Sequence, residues 1–364
     1  MNWRRFTGRL TVAAAFVVMV AGSTLVGGGT TAYAMPAVPI SAVSASYGVP
    51  KETGKIVLPE TSYDGPAFWT QGGPSSPESG LYTRVYIAWT GTDTRLNFMG
   101  INDATGISLL PKKTLNETSF VRPAIARADK GAVVIAWTGM DAGHHLNVLY
   151  DAGGTTPTKL TLWQDSSFTS PALTVLDDNT IMLAWAGTDA GHSLNVLPVS
   201  FTDHGLVPGA KVTLWDFHSL GQPDIVGGPS TGLTSPTAFL LGWADMSTQR
   251  IAWATSPDGK TWTQQPAFHE TSGFAPSLMV LPEQPEMPLN WLAWTGTDAG
   301  HHVNVLYALS LNEFTTNNVK ATLAESAVGG TVVRWNYHGI GKQMYIAWTG
   351  TDKAHHLNIA TIDI

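Results

Sequence analysis

Apolar and polar residues alternate along this chain in short runs, and six of the apolar runs end the same way. VYIAWTGTD, VVIAWTGMD, IMLAWAGTD, FLLGWADMS, NWLAWTGTD and MYIAWTGTD each carry an apolar stretch that stops at a tryptophan and a polar turn. A run of this kind, short, rich in β-branched residues and bounded by Gly, Thr and Asp, predicts a strand buried on both faces. The tryptophans are Trp89, Trp137, Trp185, Trp243, Trp294 and Trp348, spaced 48, 48, 58, 51 and 54 residues apart. That period matches one four-stranded propeller blade.

The second copy shows the four pieces of a unit most clearly. RPAIARA (122–128) and VVIAWTG predict the first two strands, HLNVLY the third and KLTL (159–162) the fourth. No stretch has helical periodicity. The last copy stops at LNIATIDI, after a third strand, while KIVLP at 55–59 resembles KKTL and KLTL and has no unit of its own. The expected fold is therefore all-β, a six-bladed β-propeller over 54–364 in which an N-terminal strand completes the last blade and leaves no exposed sheet edge. A linear solenoid would need caps at both ends and gives no reason for the spare strand.

Composition sets the surroundings. Arg4, Arg5 and Arg9 precede an apolar stretch from Leu10 to Val26, and Ala32-Tyr33-Ala34 fits a cleavage site, so residues 1–34 read as a secretory signal peptide and 35–53 as a flexible leader. The product is expected to be secreted, with no membrane span after cleavage, and monomeric. Losing the three arginines takes the formal charge from −7 to about −10, which argues against nucleic acid as a partner. There is no cysteine, which excludes disulfides, thiolate metal sites and a thiol nucleophile.

Two polar motifs recur on what the topology predicts to be one face. Asp93, Asp141, Asp189, Asp298 and Asp352 stand four residues after their tryptophans, followed by His144, His192, His301 and His355 and then Asn97, Asn147, Asn195, Asn304 and Asn358. The fourth copy has Ser247 and Ala252 in place of Asp and Asn and has no histidine, which makes Asp and Asn members of one hydrogen-bonded unit. Either the unit caps its own turn, or Trp137, Trp185, Trp294 and Trp348 with their Asp, His and Asn partners line ligand pockets. An indole packs on the C–H face of a pyranose while carboxylate, imidazole and amide groups bind its hydroxyls, so the expected ligand is a glycan or glycoconjugate, held at repeated sites with avidity. The tryptophans are equally suited to core between blades.

The second motif is an acidic residue followed closely by serine: Glu60, Glu117, Asp165, Asp216, Glu270 and Glu325. Converging carboxylates would repel one another and attract a cation such as calcium; outward-pointing caps are the alternative, and no other cofactor is implied. The pairs His144-His145, His301-His302 and His355-His356 do not chelate one ion, because neighbours on a strand point to opposite faces.

Downstream of the fourth tryptophan, IAWATSPDGKTWTQ resembles the Asp-box (BNR repeat) of the sialidase-like six-bladed propellers, through Ser256, Asp258, Gly259, Thr261 and Trp262. The IAWTGTD repeat resembles tandem repeats of exported, lectin-like bacterial proteins. The Asp-box resemblance implies a structural turn between third and fourth strands. A sialidase would further imply three substrate-binding arginines, a Tyr-Glu pair and an aspartate acid/base. Among Arg84, Arg95, Arg122, Arg127, Arg250 and Arg334 only Arg122, followed by Pro123, echoes the family's first arginine, and no Tyr-Glu pair is assignable. The expectation is a carbohydrate-binding propeller without assigned catalytic residues; a sialidase-like glycoside hydrolase and a protein-binding scaffold are the alternatives.

Overall fold

The computed structural model describes residues 48–69, 84–102, 108–109, 111–128, 131–153, 156–176, 178–227, 237–280, 290–338 and 341–364. The signal segment 1–34 and residues 35–47 of the leader lie outside the described residues. The described chain is antiparallel strands throughout, with one 3-10 turn at Leu311–Glu313. Strand β1 (Lys51–Thr61) begins earlier than KIVLP suggested, because Lys51, Glu52 and Thr53 also find partners in Asp363, Ile362 and Thr361.

The first four repeats each fold as one sheet, and the last two share a seven-stranded sheet. The first contains β2 (Ala67–Trp69), β3 (Arg84–Thr90) and β4 (Arg95–Asn102), with β5 (Ser108–Leu109) and β6 (Lys113–Thr118) both paired to β4. The second is β7 (Ala124–Arg127), β8 (Val133–Thr138), β9 (His145–Asp151) and β10 (Thr158–Ser166), in that order. The third is β11 (Ala172–Val175), β12 (Ile181–Ala186) and β13 (Ser193–Thr202), whose edge pairs with both β14 (Gly205–Pro208) and β15 (Val212–His218). The fourth is β16 (Asp224–Gly227), β17 (Phe239–Ala244), β18 (Ile251–Ser256) and β19 (Thr263–Gln264). Then β20 (Ser277–Val280), β21 (Asn290–Thr295) and β22 (His302–Ala308) lead into β23 (Val319–His338), a strand long enough to serve two groups. Its first part pairs with β22 and its second with β24 (Gly341–Gly350), which is followed by β25 (His356–Asp363) and, at the edge, β1.

The doubly buried strands read from the sequence are found: every residue of β8, β12, β17 and β21 is buried. Alternate residues of each strand enter different cores, as the two-residue period of a strand requires. Ala136 packs towards Leu183 and Trp185, while its neighbours Ile135 and Trp137 pack towards Tyr86, Ala88 and Leu96. Such cores lie between consecutive sheets along the chain, and another joins β1, β24 and β25 to Phe68, Val85 and Trp89 of the first sheet. The first strands of the groups also neighbour one another in turn, β2 beside β7, then β11, β16, β20 and β23, with β23 again beside β2.

Candidate ligand-binding face

The repeated tryptophans are core. Trp137, Trp185, Trp294 and Trp348 are at most 1% exposed, each with its ring towards the preceding sheet. Their indole faces leave no room for a sugar, and what covers them on the outside is a lysine. Lys159, Lys211, Lys320 and Lys55 place their Nζ 5.1, 6.0, 5.2 and 5.3 Å from the ring centres of Trp137, Trp185, Trp294 and Trp348.

The same lysines account for the acidic motif. Lys159 pairs with Glu117 of the preceding sheet at 2.7 Å, Lys211 with Asp165 at 2.6 Å, Lys320 with Glu270 at 2.5 Å and Lys55 with Glu325 at 2.5 Å; Lys112 pairs with Glu60 at 2.7 Å. Five of the six carboxylates thus form a girdle of inter-sheet ion pairs instead of converging on a cation. Asp216 has no such partner among the described residues, because the fourth sheet offers Thr263 and Gln264 at its outer strand and no lysine.

The serines of that motif are clasps. Ser167 N–H donates to the His144 carbonyl of its own sheet at 3.1 Å, while its Oγ donates to Ala186 O of the next sheet at 2.9 Å. Ser62 reaches His355 O and Thr90 O in the same manner. From the other side, Thr138 Oγ1 donates to Thr169 O and Thr295 Oγ1 to Gly329 O. Both polar motifs therefore meet on one face, as the topology predicted.

In the Asp turns, the carboxylate points back into its own backbone. Asp141 Oδ1 accepts Gly143 N–H at 3.0 Å and His145 Nδ1–H at 2.5 Å; Asp298 and Asp352 do the same with Gly300 and His302, and with Ala354 and His356. In Asp189 the serine hydroxyl of Ser193 takes the imidazole's place at 3.0 Å. Partial burial alone would raise these carboxyls, but the hydrogen bonds from imidazole, hydroxyl and backbone outweigh it and hold Asp141, Asp189, Asp298 and Asp352 below the ordinary aspartate value.

Asn147 grips the same residue from the other side, donating to His145 O at 2.9 Å and accepting from Thr161 Oγ1 at 2.7 Å; Asn195 and Asn304 repeat this with Thr213 and Thr322. Asn358 likewise donates to His356 O. The link between Asp and Asn is the glycine before them. A Cβ on Gly139 would lie 2.5 Å from Asp141 Oδ2 and 3.1 Å from Asn147 Nδ2. The fourth repeat has Asp245 where the others have this glycine, and Asp245 caps the turn itself, accepting Ser247 and Thr248 N–H and both their hydroxyls. Glycine, Asp and Asn are replaced together because the three side-chain positions share one space.

The histidines occupy the one strained position of the turn. His144, His192, His301 and His355 have φ of 49, 48, 47 and 57°, as do Thr94 and Gln249 (67 and 57°) in the repeats without histidine. A left-handed residue closes the turn, with His144 N–H donating to Asp141 O. Loop aromatics lie beside them: Phe168 with its ring centre 3.7 Å from His192, Tyr63 5.6 Å from His355 and Phe274 6.4 Å from His301. Sequence reading did not single out these aromatics, nor the exposed Trp163, whose indole meets His145 edge-on at 5.1 Å.

Among the first strands of the repeats, Arg122 is buried, its guanidinium donating to Gln222 and to Pro66 O, and Arg334 donates to Ser277 Oγ at 2.7 Å beside Asp224. Burial pushes the Arg122 guanidinium down, with Asp64 and Asp224 opposing. The cavity these side chains line, about 30 Å³, has room for a water or two and none for a sugar ring. The turn between β18 and β19 is closed by Ser256 Oγ, which accepts Gly259 N–H at 2.8 Å, and by Asp258, which accepts Lys260 and Thr261 N–H at 2.8 Å; Trp262 donates to Gly259 O.

With that geometry in view, the chain has the fold of a β-propeller. The fucose lectin of Aleuria aurantia, described as a six-bladed β-propeller, superposes with a TM-score of 0.58 at 8% identity, over 84% of this chain and 96% of the lectin. AofleA from Arthrobotrys oligospora gives 0.57 at 11% identity over 87% and 90%. The Hadza microbial sialidase Hz136 gives 0.55 at 15% identity over 88% of this chain and 67% of the sialidase. No protein-family model and no curated protein matches the sequence. Among the described residues no helix is long and apolar enough to cross a membrane.

Proposed function

We propose that this protein is an exported, monomeric six-bladed propeller that binds glycans at repeated sites on its turn face, its last blade completed by β1. The single observation that carries the binding reading is the set of left-handed histidines beside loop aromatics, at Phe168–His192, Tyr63–His355 and Phe274–His301. Non-glycine residues hold that backbone position in all six repeats at a cost of about 1 kcal/mol, and in three of them the side chain is an imidazole set beside a loop aromatic. The likeness to the Aleuria aurantia lectin supports the same reading, and the cyclic contacts of the first strands, together with the β1–β25 pairing, support the closed ring.

Within this reading the roles of the repeated residues divide. Trp137, Trp185, Trp294 and Trp348 and the Asn positions hold the blades, the Asp residues orient the turn, and the histidines and loop aromatics meet the ligand. The Ser256–Trp262 turn serves as a structural Asp-box. Binding is favoured over a sialidase-like hydrolase because the guanidinium of Arg122, the one arginine echoing that family, is already engaged by Gln222 and Pro66. A glycan array probed with the protein tests the assignment: retention on some glycan that drops in His192→Ala and Phe168→Ala supports it, and no retention on any glycan refutes it.

A further inference from the structure

The repeats are not equivalent at their outer strands, and the difference is one inserted residue. Leu58, Leu115 and Leu323 stand four positions before Ser62, Ser119 and Ala327, whereas Leu162 and Leu214 stand five before Ser167 and Ser219. Every one of these strands is bulged just there. In the first sheet the pairs Thr114–Asn97 and Thr118–Arg95 leave Leu115, Asn116 and Glu117 opposite a single residue. In the second, Leu162 pairs with Leu146 and the next pair is Ser166 with His145, so Trp163, Gln164 and Asp165 stand opposite none. In the third, Leu214–Leu194 is followed by His218–Ser193, leaving Trp215, Asp216 and Phe217 in the same position. A bulge of this kind turns a side chain away from the direction the strand would give it.

What the two wider bulges turn outward is tryptophan. Trp163 and Trp215 are 71% and 69% exposed, more than any other large apolar side chain among the described residues. At the corresponding point the neighbouring repeats have Pro59, Asn116 and Ala324. An indole left in water forgoes burial that eight other tryptophans obtain in the same fold, and among the described residues it occurs on two adjacent repeats only. Each is followed by an exposed polar side chain, Gln164 and Asp216, and Asp216 is the one acidic residue of its set outside the lysine girdle. Trp163 is also braced by His145, whose ring is held by Asp141.

We propose that Trp163 and Trp215 form a two-point platform for an oligosaccharide of uncharged pyranose units, lying along the outer rim of the second and third repeats. An indole face with an amide or carboxylate beside it fits a ring that offers C–H groups on one side and hydroxyls at its edge. The unpaired Asp216 and the acidic chain disfavour sialylated or otherwise anionic sugars. Two such points on a rigid scaffold engage one chain with avidity. The proposal rests on the glycan-binding reading and adds to it a place and a ligand class that the histidine turns do not define.

The test uses the full-length protein on arrays of neutral plant, fungal and fucosylated oligosaccharides with sialylated counterparts, comparing wild type, Trp163→Ala, Trp215→Ala and the double variant. Both side chains are exposed, so melting temperatures are expected to stay near wild type and to certify folding. Each single variant is expected to bind neutral oligosaccharides about tenfold more weakly, with Trp163→Tyr intermediate and the double variant below detection. Wild-type binding by the double variant, with loss in His192→Ala, overturns the platform and leaves glycan binding standing. Equal binding of sialylated glycans overturns the ligand class. Absence of any glycan binding by the wild type overturns both readings, and a protein captured through the two tryptophans would take their place.

Discussion

Nζ of Lys159 lies 2.7 Å from Oε2 of Glu117 in the preceding sheet while standing over the ring of Trp137 in its own. Sheet-to-sheet adhesion at the rim is thus electrostatic, in contrast to the apolar cores inside. Because both side chains are partly exposed, the pair is worth little by itself, about 0.5 kcal/mol, with a cation–π contribution of similar size. Lys159→Met is expected to lower unfolding free energy by about 1 kcal/mol and to remove part of the salt sensitivity. Denaturant titrations at low and high salt check this; a loss well above that value would mean that the girdle carries structural weight beyond a surface pair.

Gly139→Ala tests the shared space of the Asp turn. The added methyl would meet the Asp141 carboxylate, which must swing out and release Gly143 and His145 N–H. The expected cost is about 1–3 kcal/mol. If displacement of the carboxylate is the cause, Gly139→Ala in an Asp141→Ala background costs clearly less, and a double-mutant cycle reads the difference. Simple additivity would point to backbone strain instead.

Acid should loosen these turns. The Asp141, Asp298 and Asp352 carboxyls sit below their unfolded value, so the stability they contribute is fully present above about pH 4 and is lost as pH falls through the lower folded values. Melting temperature is therefore expected to drop on the acid side of pH 4. Changing all three to Asn lowers it at neutral pH and flattens the acid limb; an unchanged limb would place the acid sensitivity elsewhere.

The left-handed histidines separate stability from use. His144→Gly and His301→Gly remove a side chain from φ near 50°, and stability is expected to hold or rise by up to about 1 kcal/mol. Glycan retention is expected to fall in the same variants. Stabilisation with unchanged retention would make the histidines turn residues alone.

The fold was legible because one signal repeats: an apolar run buried on both faces, closed by Trp and a Gly-bearing turn, leaves few architectures open. The strands of the second repeat fall where the periodicity put them, with ends shifted by a few residues. The site was not legible in the same way. Trp137 and Trp163 are both tryptophans on strands of one sheet, and only the register tells that the first faces a core and the second water. The one-residue insertion before Ser167 and Ser219 was present in the sequence as a spacing of five where neighbours have four, but its meaning depends on the bulge it widens. The acidic motif stayed open between cation site and outward caps for a related reason: four of the lysines that neutralise it lie 42 to 52 positions away and Lys55 lies 270 from Glu325, and only side-by-side packing of the sheets brings them in.

The pairing of Lys51 with Asp363 and of Thr61 with His356 also sets an order of events for the growing polypeptide. Thr53 and Thr361, bonded across these two strands, lie 308 residues apart, so β1 stays without its partner until β25 has been made. A loop of that length costs entropy before its contacts repay it, so this pairing is expected to form late, after the local hairpins of the individual repeats.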